Sequence, residues 1–168
     1  MVKIRLSRQE MSEASQGATM RWQMARASGI GNQKRAGVSD AELDLVGIKA
    51  EMAVAKLLSL DYMAARLGVD DGSDLWFGDV SIDVKASIYP TGKLLFKSLK
   101  AFRADCAILV TTTSDDDVMS VIGGISRSSF ATGHAVTDLG RGECLTMEQD
   151  EIWPIEQMWI RLCEVKYK

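Results

Sequence analysis

The sequence predicts an α/β fold, a mixed central β-sheet flanked by helices, and three observations carry that prediction. Ser7 with Glu10, and Ser39 with Glu42, form capping-box signatures ahead of proline-free stretches with helical character. Residues 72–87 read as two short strands joined by a tight turn, and CAILVTTTS (106–114) with VMSVIGGIS (118–126) reads as a further strand pair. Helices that precede and follow strand pairs need a common sheet on which to bury their apolar faces. A chain of 168 residues, 46% of them hydrophobic, can supply that core as one domain.

The elements follow in order. From Ser7 a helix is expected to about residue 28, where GIGNQKRAGV (29–38) breaks it. Ser39 opens a second helix that runs through AELDLVGIKAEMAVAKLLSL to about residue 60. DYMAARLGVDDGSD is a weakly patterned connector, with a short strand expected near residues 62–67, and it closes on the turn signal Asp70-Asp71-Gly72. After the acidic strand pair comes a basic connector, TGKLLFKSLKAFR (91–103), and Asp115-Asp116-Asp117 joins the later pair as a hairpin. Gly123-Gly124 is expected to end or bend the last strand. Ser126 caps a short helix at RSSFAT, residues 132–150 are rich in turn formers, and Pro154 stands near the start of a final helix.

Composition removes several kinds of chemistry. No run approaches the roughly 18 uninterrupted apolar residues of a membrane span, and residues 1–15 lack the apolar stretch of a secretion signal. The expectation is a soluble, cytoplasmic protein with no membrane partner. Cys106, Cys144 and Cys163 are odd in number and far apart, which suggests neither a disulfide framework nor a zinc site. His134 is the sole histidine, so Ser-His-Asp, Cys-His and His-rich metal chemistry fall away. Catalysis would run on carboxylates, lysine or a bound ion.

The formal charge of −3 is unevenly spread. Residues 1–35 hold Lys3, Arg5, Arg8, Arg21, Arg26, Lys34 and Arg35 against Glu10 and Glu13, and the 91–103 connector carries Lys93, Lys97, Lys100 and Arg103 with no acid. Such patches suit phosphate contacts or ordinary solvated surface.

The acidic strand pair is the most informative stretch. Gly78-Asp79 fits a two-residue hairpin turn, and pairing Phe77 with Val80 then sets Asp74 opposite Asp83. Alternation puts Asp74, Asp83 and Lys85 on one face and Leu75, Phe77, Ile82 and Val84 on the other. Two carboxylates directly opposite, with Cβ atoms about 5 Å apart, repel. Compensation would come from Lys85 or from a divalent cation with oxygen ligands. Glu51 poses the same question on the second helix, where Gly47, Ile48, Val54 and Ala55 are its neighbours and Lys49 and Lys56 lie on other faces. A carboxylate on a core-facing surface needs a partner, either an interior Lys or Arg or a cation. Gly47 would let this helix approach another backbone closely.

Taken together, GIKAEMAVAKLL (47–58) and DDGSDLWFGDVSIDVKAS (70–87) resemble the PD-(D/E)XK nuclease superfamily over about residues 40–125. GGISRSSF is similar to small phage or bacterial members, in which a glycine-ended strand leads into a short helix. The resemblance implies a restriction endonuclease-like core with an added N-terminal helical segment: a helix carrying an acid, an acidic hairpin with a D/E-x-K strand, then a helix and a further strand. On that basis the chain divides into a basic helical extension (1–38), the nuclease-like core (39–132), and a turn-rich and helical C-terminal extension of the same domain (133–168).

The resemblance also implies roles. Asp74 corresponds to the first motif acid, with Asp71 competing for that place, Asp83 to the acid of D/E-x-K, Lys85 to its lysine, and Glu51 to the additional helical acid. Glu51, Asp74 and Asp83 would hold Mg²⁺ or Mn²⁺, and Lys85 would orient the attacking water or stabilise the transition state. Ser73 stands where the family name has proline, and inactive members of the superfamily exist. The implied activity is metal-dependent hydrolysis of DNA in phage or mobile-element metabolism, leaving a 5′-phosphate, with a catalytically silent DNA-binding or protein-interaction member as the alternative. Lys93, Lys97, Lys100, Arg103, Arg21, Arg26, Lys34 and Arg35 would be the DNA contacts, and Trp22 or Tyr89 could stack on a base. Symmetric cutting would favour a homodimer, with IEQMWIRLCEV either forming its interface or closing the monomer core.

Overall fold

The computed structural model describes residues 1–27, 39–63, 72–113, 115–140 and 142–166. It is a mixed α/β fold. The main sheet takes the order β1 (Val2–Arg5), β6 (Val118–Ser126), β5 (Cys106–Thr111), β3 (Val80–Ser87) and β2 (Leu75–Phe77), with the short β9 (Trp153–Pro154) also on β6. Only the β3–β5 pair is parallel. A second, three-stranded sheet is formed by β4 (Leu94–Phe96), β8 (Glu143–Met147) and β7 (Ala135–Asp138), in that order. Four helices complete the described residues: α1 (Arg8–Ala27), α2 (Asp40–Leu57), α3 (Arg127–Gly133) and α4 (Ile155–Lys166).

Both expected capping boxes form. Ser7 Oγ accepts from Glu10 N–H at 3.2 Å while Glu10 Oε2 accepts from Ser7 N–H at 2.5 Å, and Ser39 with Glu42 repeats the arrangement at 3.2 and 2.8 Å. Ser126 caps α3 through Ser129 N–H, as its position ahead of RSSFAT suggested.

The main sheet buries both of its faces, and β5 shows how. Its even residues Cys106, Ile108 and Val110 enter a core formed with α1, α2 and α4, while Ala107 and Leu109 enter another with β4, β8 and α3. Phe96, Phe102 and Phe130 anchor that second core, Phe96 and Phe102 stacked at 4.2 Å and Phe130 edge-on to both. The thiol of Cys106 is pushed up to about 12 by its burial, which suits a structural rather than a nucleophilic cysteine.

Several details depart from the sequence reading. β1 was not expected; it pairs with β6, and Leu6, Ala14 and Ala18 join the main core, so the first 27 residues are built into the sheet and its packing. Residues 88–105, where the family resemblance implies a helix, form β4 and turns instead, because Leu94, Phe96 and Phe102 alternate into the second core. The turn-rich stretch 132–150 contains the β7–β8 hairpin. Gly123-Gly124 does not end β6, which continues to Ser126. Added Cβ atoms there would lie 2.2 Å from the Trp153 carbonyl oxygen and 2.6 Å from that of Ala107, so the glycines allow close strand approach, and a bulge falls beside them between Leu109 and Val110.

Lys49 was assigned to a polar face of α2 but is fully buried, its Nζ donating to the Thr113 carbonyl at 2.7 Å. Helix α2 is packed between α1 and the sheet, so its two buried charged residues, Lys49 and Glu51, must find internal partners. Ile155, Met158 and Leu162 place α4 on the main core, so this segment closes the monomer. Most of the strand expected near 62–67 lies outside the described residues.

Candidate active site

The β2–β3 register pairs Leu75 with Ile82, Trp76 with Ser81 and Phe77 with Val80, as the Gly78-Asp79 turn suggested. Gly78 has φ of 63°, the positive value that a glycine-first hairpin turn requires. One step beyond the last pair, Asp74 N–H donates to the Ile82 carbonyl at 2.9 Å and the side chain reaches Asp83's level. There β2 ends. Among the described residues nothing pairs with residues 83–87 of β3 on that side, while β5 runs along the other. The Val84 N–H on this open edge donates instead to Asp74 Oδ2 at 2.7 Å.

Asp83 is buried, its side chain 5% exposed, and Lys85 Nζ lies 2.6 Å from its Oδ1. The half-exposed Lys85 also sits 4.8 Å from the centroid of Phe96, whose ring face favours a cation. Burial pushes the Asp83 carboxyl up to about 6; Lys85 opposes that rise, and the Asp74 carboxylate facing it adds to it.

Glu51 reaches the same cluster from α2. Arg21 of α1 grips it with Nη1 and Nη2 each 3.1 Å from Oε1 and Nη2 3.3 Å from Oε2, and Tyr62 Oη donates to Oε2 at 2.8 Å. Burial raises this carboxyl above its ordinary value, Arg21 opposes the rise, and the charge of Asp74 reinforces it. Asp74 therefore acts electrostatically on both Glu51 and Asp83, and Glu51, Asp74, Asp83 and Lys85 form one connected group. The alternative first acid, Asp71, lies outside the described residues.

Of the two partners foreseen for Glu51, the structure supplies the interior cation. Arg21, expected on a DNA-facing surface, is instead turned into the cluster. Gly47 does not serve a close backbone approach: among the described residues an added Cβ would meet only Arg21 Nη1, at 3.7 Å, an ordinary contact. Tyr62 was missed, and nothing in its local sequence marks it. Arg21 carried a signal in retrospect, since α1 is rich in arginine and α2 carried an acid needing one.

The donor set suits a hard divalent cation. Asp74 and Asp83 offer carboxylate oxygens from adjacent strands at a point where negative charge is in excess. Glu51 is committed to Arg21 and Tyr62, so it could join only by exchanging those partners. Among the described residues, no three His, Cys, Asp or Glu side chains converge as a ready-made metal cage.

The basic residues fall into groups. Lys97, Lys100 and Arg103 are exposed on the turn after β4 and its continuation, and the Arg103 stem lies against Gly72, two residues before Asp74. Lys93 is paired with Glu148 at 2.5 Å. Lys34, Arg35 and the side chain of Arg26 lie outside the described residues. No described helix is long and apolar enough to cross a membrane. Comparison with protein families, curated proteins and solved structures finds no match to this chain.

Proposed function

We propose that this protein is a metal-dependent deoxyribonuclease of the PD-(D/E)XK type, with Asp74, Asp83 and Lys85 as its reaction centre and a restriction endonuclease-like arrangement of α2, β2, β3 and β5 around it. The observation that carries the proposal is the opposed pair Asp74 and Asp83 at the open edge of β3, with Lys85 on the latter at 2.6 Å. Two apposed carboxylates destabilise a sheet, and a buried carboxyl raised by burial beside a specific charge partner, as Asp83 is beside Lys85, is the kind of group that clusters at functional sites.

Mg²⁺ or Mn²⁺ would be held by Asp74 and Asp83, and would supply charge neutralisation at the phosphate and activation of water. The chain's own groups do the positioning. The Val84 N–H fixes Asp74 in one orientation. Lys85, held by Asp83 and the Phe96 ring and partly exposed, would orient the attacking water and balance charge building on the phosphate oxygens. In the hydrolysis the water oxygen bonds to phosphorus, the bond from phosphorus to O3′ breaks, O3′ takes up a proton, and a 5′-phosphate remains. Arg103, Lys97 and Lys100 would draw the DNA backbone to this edge.

A second reading has an observation in its favour. Glu51 has both oxygens taken by Arg21 and Tyr62, an arrangement that also suits a catalytically silent DNA-binding member. One assay separates them: single-stranded, duplex and branched DNA with Mg²⁺, Mn²⁺ or EDTA, using the wild type and folded Asp83→Ala and Lys85→Ala variants. Metal-dependent cutting lost in both variants supports the nuclease. Binding without cutting in any metal supports the silent member.

A further inference from the structure

The open edge of β3 does not stop at Lys85. It continues into a concave groove of about 590 Å³ whose lining begins with Lys85 and Ser87 and includes Tyr89, Leu43 from α2, Leu95 from β4, and Leu139 from the β7–β8 turn. Its walls are mostly apolar, although it opens directly beside a cluster of charged groups. Tyr89 is 44% exposed there.

The loop that carries Tyr89 is held rigidly. Tyr89 N–H donates to Ser87 Oγ at 3.1 Å, Gly92 N–H to the Tyr89 carbonyl at 2.9 Å, and Gln149 Nε2 to the carbonyls of Pro90 and Gly92 at 2.8 and 2.7 Å. A Cβ on Gly92 would fall 2.1 Å from Ser87 Oγ, so the loop could not fold this tightly with another residue in that place. An aromatic ring on a pinned loop loses little entropy when a flat ligand stacks on it.

We propose that this groove receives an unpaired nucleobase adjoining the phosphate at Asp83 and Lys85, and that the protein therefore takes single-stranded or locally unpaired DNA in preference to continuous duplex. The inference rests on the nuclease reading and names its substrate form. A sugar-phosphate backbone seeks exposed cations, whereas the walls offered here are chiefly leucines and a tyrosine, with Ser87 and Thr91 as their uncharged polar groups, and the groove's one further lysine, Lys93, is already paired with Glu148. The base is the apolar, flat part of a nucleotide, and it can enter a cleft only when it is not stacked and paired in a duplex. Lys85 belongs to both the groove and the reaction centre, so a base seated here brings its neighbouring phosphate to the carboxylates.

The test is fluorescence anisotropy in EDTA with the full chain carrying Asp83→Asn, so that binding is read without cleavage. The probes are a labelled oligothymidylate strand and the same strand annealed to its complement. The single strand is expected to bind more tightly than the duplex. Tyr89→Ala should weaken single-strand binding roughly tenfold, Tyr89→Phe should restore it, and duplex binding should be the same in all three. Leu139→Asp, at a position that is 53% exposed and outside both cores, should weaken single-strand binding as well. Equal or tighter binding of duplex, or single-strand binding indifferent to both Tyr89→Ala and Leu139→Asp, overturns the proposal. The two readings fail separately: Tyr89-dependent binding with no cutting by the wild type keeps the groove and removes the nuclease, while Asp83-dependent cutting indifferent to Tyr89 does the reverse.

Discussion

Strand β3 is met by an aspartate from a neighbouring segment at two places, Asp105 at its start and Asp74 at its middle, and the two are used in opposite ways. At its start, Asp105 accepts from Ser81 N–H at 2.9 Å and from Ser81 Oγ at 2.7 Å, while its own N–H donates back to Ser81 Oγ at 2.9 Å. That carboxylate is a fastener between two parallel strands, with Oδ2 accepting both bonds from Ser81. Further along, Asp74 also accepts a β3 amide, from Val84, but it does so facing Asp83 and within the electrostatic reach of Glu51. At the first place a single carboxylate serves a single residue, Ser81. The second gathers three carboxylates, Glu51, Asp74 and Asp83, around two cations, Lys85 and Arg21, and Glu51 and Asp83 are raised above their ordinary values, first by burial and further by the charge of Asp74. Excess of this kind is what separates a reactive or ion-binding carboxylate from a structural one.

The strongest way to break the comparison is to exchange the effects. Asp83→Asn is expected to lower metal-dependent DNA cleavage by about a thousandfold while leaving the urea midpoint of the metal-free protein at neutral pH unchanged or higher. Asp105→Ala should do the opposite. It removes two bonds to Ser81, one of them to a buried strand amide, and should cost about 3 kcal/mol of stability with specific activity retained at low temperature. If Asp83→Asn unfolds the protein as severely as Asp105→Ala, the two places are both structural and the site is lost.

The contrast also shows what the sequence could and could not reveal. The Asp74–Asp83 juxtaposition was legible because a two-residue turn at Gly78-Asp79 determines the register, and alternation then assigns every side chain to a face. Capping boxes were legible for a similar reason, since they join residues three apart. Longer-range arrangements were not. β1 is four residues long and finds its partner more than a hundred positions later, so no local pattern announces it. The same holds for Ser81 and Asp105, and for Arg21 and Glu51, whose need for each other was visible only on the acid's side. Helix α2 misled through its charges: Lys49 looks like a solvent residue until tertiary packing encloses it.

The role of Glu51 can be sharpened by a double-mutant cycle with Arg21. Arg21→Ala leaves a buried carboxylate with the Tyr62 hydroxyl on Oε2 and should cost about 2 kcal/mol, less than a fully enclosed pair because Arg21 is itself 38% exposed. Glu51→Ala in that background should recover much of the loss if the two residues act mainly on each other. Metal affinity of the double variant, measured by Mn²⁺ titration, then separates the roles. Wild-type affinity would make Glu51 a purely structural acid, and a clear loss would make it a ligand that Arg21 holds until the ion arrives.

The smallest effect follows from protons. Asp83 moves from 3.8 when unfolded to about 6 in the fold, first because it is buried and further because Asp74 faces it, with Lys85 opposing. Between these values the folded chain binds more protons than the unfolded one, so stability falls as pH rises from about 4 to 6 and then levels off. Glu51, also raised, acts in the same direction. Glu42, lowered by its bond to the Ser39 amide, has the opposite sign and acts below its ordinary 4.5, outside most of that window. Metal-free urea midpoints should therefore decline between pH 4.5 and 6, and the Asp83→Asn variant should flatten that decline. A bound cation reverses the trend, because it competes with the same proton: below about 6, Mn²⁺ affinity should rise up to tenfold per pH unit, and above it should level off. A midpoint that climbs through this range without metal would mean that Lys85 satisfies Asp83 as fully as Ser81 satisfies Asp105, and the difference between the two places on β3 would disappear.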